Sequence, residues 1–204
     1  MALTFNGSNN TIGGLAVGGL PDGAVQIADL GATSGKNGPI LQIVSATKSD
    51  TVSSNSTSYY NIGLSASITP SSSSNKILVL MDLVYGGMEN VYNYGRILRT
   101  PSGGSAQPIA VGDDRTSSYS NSQQVSFSLT TNNLANVQYK LYHAYVNFLD
   151  SPSATVATTY TVQAKSVYGG GSGYFYINRP ATNDNQPYQV TTSSNLILME
   201  VASA

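Results

Sequence analysis

Few residues in this chain have chemistry to offer. Its 204 residues include one His, no Cys and no Trp. Ser45-Ala46-Thr47-Lys48 carries the S-x-x-K spacing in which a lysine activates a serine for acyl transfer. That chemistry needs a helix to return the lysine to the serine. Here the four residues end an alternating run, and strand positions three apart point to opposite faces. Gly169-Gly170-Gly171-Ser172-Gly173 has Tyr174 where a nucleophile elbow needs its last Gly, and it lacks the Lys of a phosphate loop, so it reads as a turn. His143 could serve a Ser–His–Asp triad, but nothing in the sequence makes partners converge on it, and it reads as a packing or surface histidine. Asp113-Asp114 supplies too few oxygens for calcium and reads as a charged loop paired with Arg115. No carboxylates suggest a glycosidase pair. The chain is therefore expected to be a non-enzyme, with no catalytic residue, no cofactor and no metal site.

Absences narrow the classes further. Without Cys there is no disulfide, thiolate nucleophile or Cys-ligated zinc, and a single His excludes a two-His metal site. Nine Lys and Arg against ten Asp and Glu leave little to neutralise phosphates, so no nucleic-acid partner is expected. No apolar run approaches the length of a membrane span. The first Lys is Lys36, so no charged signal-peptide region is expected.

The fourteen tyrosines say more. Tyr85, Tyr92 and Tyr94 fall in one region, and Tyr168, Tyr174 and Tyr176 in another. Tyrosine offers rigid amphipathic area with a hydrogen-bonding tip, suited to contact surfaces and to stacking on sugars. Tyr92, Tyr94, Tyr168, Tyr174 and Tyr176 are candidate receptor contacts. Ordinary strand packing is the competing reading.

The elements that must position these side chains are almost all strands. Ser, Thr and Asn make up 65 of the 204 residues, and charged residues only 9%. From Ile40 onward, runs rich in Val, Ile, Thr and Tyr lie near 40–48, 57–69, 76–86, 90–99, 106–112, 123–130, 138–150, 155–168, 173–178 and 195–202. Ser, Asn, Gly and Pro clusters separate them. Tyr60, Ile62, Leu64, Ala66 and Ile68 alternate with polar or small residues, the period of a half-buried strand. Ser102-Gly103-Gly104-Ser105 should reverse the chain as a hairpin. No amphipathic helix stands out after residue 40. The fold class expected for 40–204 is all-β, an antiparallel β-sandwich of the jelly-roll kind.

Residues 1–39 differ. Gly is dense, and apolar residues are sparse and spaced: Ile12, Leu15, Val17, Leu20, Val25, Ile27 and Leu30. A short helix is expected with Asp22 as N-cap, running through Ala28 and stopped by Gly31. Such a segment cannot close a core of its own. It reads as an extended N-terminal arm that needs other chains, with Gly35–Pro39 as its hinge.

Two strands carry more apolar surface than one core uses. Between 76 and 86, Ile77, Val79, Met81, Leu83 and Tyr85 form one face, and Leu78, Leu80 and Val84 the other. Near the C-terminus, Leu196 and Leu198 oppose Ile197, Met199 and Val201. Either the sandwich covers both faces itself, or Leu78, Leu80, Val84, Ile197, Met199 and Val201 meet another subunit. Burying about 600 Å² at ~25 cal/mol/Å² is worth on the order of 15 kcal/mol before association costs.

The order of several segments is informative together. LTFNGSNNTIGGLAVGGLPDGAV at 3–25 resembles the leader of small tail-fibre-like virion structural proteins of marine tailed bacteriophages, of the cyanophage type. ILQIVSATKSDT at 40–51, SITPSSSSNKILVL at 67–80, FLDSPSATVATTYTVQ at 148–163, YINRP at 176–180 and NLILMEVA at 195–202 follow in the same order. The match weakens over 86–135. The resemblance implies a virion protein made in the bacterial host cytoplasm, built on a β-rich homotrimeric module. It carries over no receptor-binding residue. The expected partners are three copies of the chain itself, other virion proteins bound through the arm, and a host-surface glycan or protein. A capsid decoration or head-fibre protein is the alternative, since the same arm could lie across capsid subunits.

Overall fold

The computed structural model describes residues 4–6, 11–13, 39–113, 124–131, 135–170, 173–187 and 189–203. The expected helix after Asp22, the arm residues Leu15, Val17, Leu20, Val25, Ile27 and Leu30, the side chain of Ile12, and the Asp114–Arg115 loop lie outside the described residues. The chain divides into two units, 1–38 and 39–204, each described by itself.

In the first unit, β1 (Thr4–Asn6) and β2 (Thr11–Gly13) pair antiparallel, with Phe5 opposite Ile12. Reading that stretch as plain extended chain gave no sign of this pairing.

The second unit holds β3 (Ile40–Lys48), β4 (Val52–Ser54), β5 (Tyr60–Ile68), β6 (Lys76–Gly87), β7 (Asn93–Pro101), β8 (Gln107–Ile109), β9 (Phe127–Ser128), β10 (Tyr142–Asp150), β11 (Thr158–Ser166), β12 (Phe175–Ile177) and β13 (Ser194–Val201). A single 3-10 turn, Val137–Tyr139, precedes β10, and no α-helix occurs among the described residues. All strand pairs are antiparallel.

Register resolves the strands into lanes. β6 takes β10 along one edge; along the other it takes β13 and then β12, which in turn pair with β3 and β4. The first sheet therefore reads β3/β4, β13/β12, β6, β10. The second reads β5, β11, β7, then β8 and β9. Numbering the eight lanes along the chain, the sheets run 1-8-3-6 and 2-7-4-5, the double Greek key of a jelly roll. The fold class is the expected one.

Alternation dictates the core. Ile62, Leu64 and Ile68 of β5, Tyr160 and Val162 of β11 and Ile97 of β7 face Ile77, Val79 and Leu83 of β6 and Leu196 and Leu198 of β13, all at most 2% exposed. Each such side chain removed from water contributes roughly 1.5–3 kcal/mol.

Two expectations need correction. Val84 lies in the outward run of β6, yet it is only 2% exposed. The Asn178 backbone N–H donates to its carbonyl at 2.9 Å, and its own N–H donates to Ser194 Oγ at 2.9 Å, so the segments around Asn178 and Ser194 are tied to the main chain there. Tyr85 joins Ile77, Val79, Met81 and Leu83 in the core, as its face predicted, its ring 5.6 Å from that of Tyr142. Tyr139 sits in the 3-10 turn, so the strand bearing His143 starts later than expected, at Tyr142.

Candidate functional site

Two surfaces stand out, each built by strand register. The first is the outer face of the first sheet. Ile43 of β3, Met199 of β13, Leu78 of β6 and Leu149 of β10 fall in one register row across all four lanes. The next row holds Ser45, Ile197, Leu80 and Asn147, and the next Thr47, Asn195, Asp82 and Tyr145. Apolar surface is thus concentrated at one end of the face, where Val201 stands opposite Ile40. Ile43 is 59% exposed and Leu149 46%; Leu78, Leu80, Ile197, Met199 and Val201 are half-buried. Five of the six expected interface residues are partly open on this face, whereas Val84, in the same run of β6 and paired with His143, is buried.

At the polar end of the same face, His143 Nδ1 and Asp82 Oδ1 share a hydrogen bond of 2.7 Å, and the His143 ring stacks on Tyr145 at 5.6 Å. Ser45 is on β3 as alternation required, exposed, while Lys48 is buried and paired with Asp50 at 2.7 Å. The lysine and the serine therefore do not meet as nucleophile and base. Among the described residues, no three metal-ligating side chains stand together.

The outer face of the second sheet is different. Asn61, Gln163 and Arg96 form one cross-strand row, with Arg96 Nε donating to Gln163 Oε1 at 2.8 Å and Gln163 Nε2 donating to Asn61 Oδ1 at 2.8 Å. Ser65, Ser67, Thr159 and Thr161 occupy neighbouring rows. That face is mostly polar, with Leu98 and Pro108 beside Thr161.

The second surface is one end of the sandwich. Antiparallel lanes bring residues 55–59, 88–92, 135–141, 167–170 and 173–174 to the same end. These loops are tied together. Ser166 N–H donates to the Ser56 carbonyl at 2.7 Å and Val167 N–H to the Tyr92 carbonyl at 3.0 Å. The Thr131 hydroxyl donates to the Met88 carbonyl, and Thr182 N–H to the Gln138 carbonyl at 3.1 Å. Aromatic rings gather here. Tyr92 and Tyr168 meet edge to face at 6.0 Å, exposed by 41% and 72%. Tyr174 and Tyr176 stack at 6.0 Å, with the Arg179 guanidinium 4.6 Å above Tyr176. Burial pushes the Tyr176 hydroxyl above its ordinary pKa, against the pull of Arg179. Arg96 lies 3.8 Å over Tyr59. Four of the five candidate contacts thus form two ring pairs. Tyr94 stands apart, half-buried between Lys165 and Ser128 on the second sheet. The opposite end, formed by 69–75, 102–106 and 151–157, has no aromatic residue.

Between the tied loops lies an open cleft of about 500 Å³, lined by Met88, Glu89, Gln138, Tyr139 and Thr182. Sequence reasoning missed these five. The usable signal was asparagine: Asn90, Asn136, Asn178 and Asn185 all take left-handed backbone, φ 56–62°, beside the lining segments.

No family model matches the chain, and no curated protein matches it. Among solved structures, it is similar to the infectious bursal disease virus Gx strain, at 14% identity and TM-score 0.38 over 80% of this chain and 38% of that one. It is also similar to the VP2 subviral particle of the same virus, at 11% identity and TM-score 0.40, again over 80% and 38%. The T=1 particles derived from that virus give 12% identity and TM-score 0.41, over 80% and 37%. The chain thus spans less than two fifths of the chains it matches.

Proposed function

We propose that this chain is a non-enzymatic structural protein of a tailed-phage virion: a tail-fibre-like surface module that trimerises through the outer face of its first sheet and attaches through residues 1–39. The observation that carries this reading is the apolar row Ile43–Met199–Leu78–Leu149, backed by Ile197 and Leu80. A face with that many large apolar side chains in contact is a self-association or partner surface by its nature. Cyclic symmetry lets identical copies cover the same patch on each other. The polar face of the second sheet is then left to solvent. The resemblance of the leader and of the ordered body segments to tail-fibre-like proteins supports the virion setting.

Sedimentation of the full-length chain at micromolar concentration tests the reading. A trimer is expected. Ile43→Asp with Leu149→Asp should yield a folded monomer with the wild-type circular dichroism spectrum, because both side chains are exposed in the single chain, and a lower melting temperature, because association no longer adds to its stability. A wild-type monomer overturns the proposal.

A further inference from the structure

The cleft at the tyrosine-bearing end has a composition that points to one ligand class. We propose that it binds an uncharged glycan. This rests on the reading as a virion surface module and deepens it by naming what the tyrosine-bearing end recognises.

A sugar ring presents hydroxyl groups around its edge and C–H groups on its faces. The cleft offers a match for each. Glu89 brings two carboxylate acceptors, Gln138 an amide that both donates and accepts, and Thr182 a hydroxyl. Tyr139 and Met88 add an aromatic ring and a thioether to the same lining. Glu89 is the one charged residue among the described lining residues, so phosphate, sulfate and uronate groups are repelled rather than held. A volume of about 500 Å³ suits a small-molecule-sized segment of a longer chain.

The walls are prepared in advance. The Thr131 hydroxyl holds the Met88 carbonyl, and the Thr182 N–H holds the Gln138 carbonyl. The loops therefore need little ordering on binding, and affinity is not spent on it. Tyr92 follows Met88 and Glu89 in the same loop, and the Tyr92–Tyr168 pair leaves rings exposed for further sugar units. The opposite end of the sandwich, lined with Ser, Gly and Pro, offers no ring for stacking.

The four methionines make the test specific: Met88 lies in the cleft, Met199 on the apolar outer face and Met81 in the core. Full-length protein labelled with ¹³C in the methionine methyls is titrated with uncharged gluco-, manno- and galacto-oligosaccharides, and in parallel with sulfated and uronate oligosaccharides. The Met88 signal should shift with an uncharged oligosaccharide and stay still with the anionic ones. Gln138→Ala should weaken that binding about tenfold, the loss of one or two hydrogen bonds. Glu89→Gln should weaken it severalfold. Absence of any Met88 shift with the uncharged panel overturns the proposal, as does a response to anionic sugars alone, or full affinity in both variants. Sedimentation of the same samples reports self-association separately: if the wild type is a monomer, the trimer reading fails while the glycan result stands on its own.

Discussion

Glu200 shows how single residues hold the loops to the sandwich. It lies on β13 with no exposed surface. Burial alone would raise its pKa. Yet Ser71 N–H donates to it at 2.6 Å, Ser71 Oγ at 2.7 Å, Asn75 Nδ2 at 2.7 Å and Gln42 Nε2 at 2.5 Å. These bonds prevail and bring the pKa from 4.5 down to about 2. A carboxylate depressed on folding stabilises the protein above its unfolded value and stops doing so as pH falls through its folded value. The contribution is therefore full above about pH 5, declines between the two pKa values, and is of order 3 kcal/mol. Urea midpoints measured between pH 7 and pH 2 should fall across that window. Glu200→Gln should lower the midpoint at pH 7 and flatten the decline, and a variant that tracks the wild type at every pH would rule the anchor out. Nothing in the sequence marks Glu200, because its donors lie on β3 and on the turn before β6, more than a hundred residues upstream.

At the level of the strand, alternation made β5 and β6 legible with nearly correct bounds, since each buries one face continuously. The segments 106–112 and 123–130 shrank to β8 and β9, three and two residues long. Both pair with β7 on an edge lane. Local propensity cannot report where an edge strand loses its partner. Packing on β7 shows the same dependence on distant residues. A side chain at Gly95 would place its Cβ 2.0 Å from the ring of Phe127, which fills the space above that glycine. Gly95→Ala should cost about 1–3 kcal/mol as overpacking. Thermal unfolding followed by circular dichroism measures it; an unchanged melting temperature would mean the ring moves aside freely. Gly63 has a different role: its φ of 84° lies beside the register shift where β5 meets β11.

The sandwich has direction. One outer face carries the apolar rows while the other is mostly polar, and one end gathers aromatic loops while segments 69–75, 102–106 and 151–157 at the other have no aromatic residue. Removing residues 1–38 takes away one of the two units and leaves the sandwich core intact. The truncated protein should keep its melting temperature and its oligomeric state but fail to join virions. Recovery of the truncated chain in purified particles would refute the attachment role of that segment. Sequence by itself determined the all-β class, the sandwich and the surplus of apolar strand faces. Each of these follows from residue type and a period of two, which are local properties of the backbone. Only the tertiary structure decided which candidates share a surface. Leu78 and Val84 are equivalent in the sequence pattern, but one is left half-buried while the other is 2% exposed, with the segment after β12 hydrogen-bonded to its carbonyl. Strand order pairs the first lane with the last, and it brought Met88, Gln138 and Thr182 around one cleft. Such pairings depend on contacts between residues as far apart as Pro39 and Ala202, whose N–H donates to the Pro39 carbonyl at 2.9 Å, which no local pattern encodes.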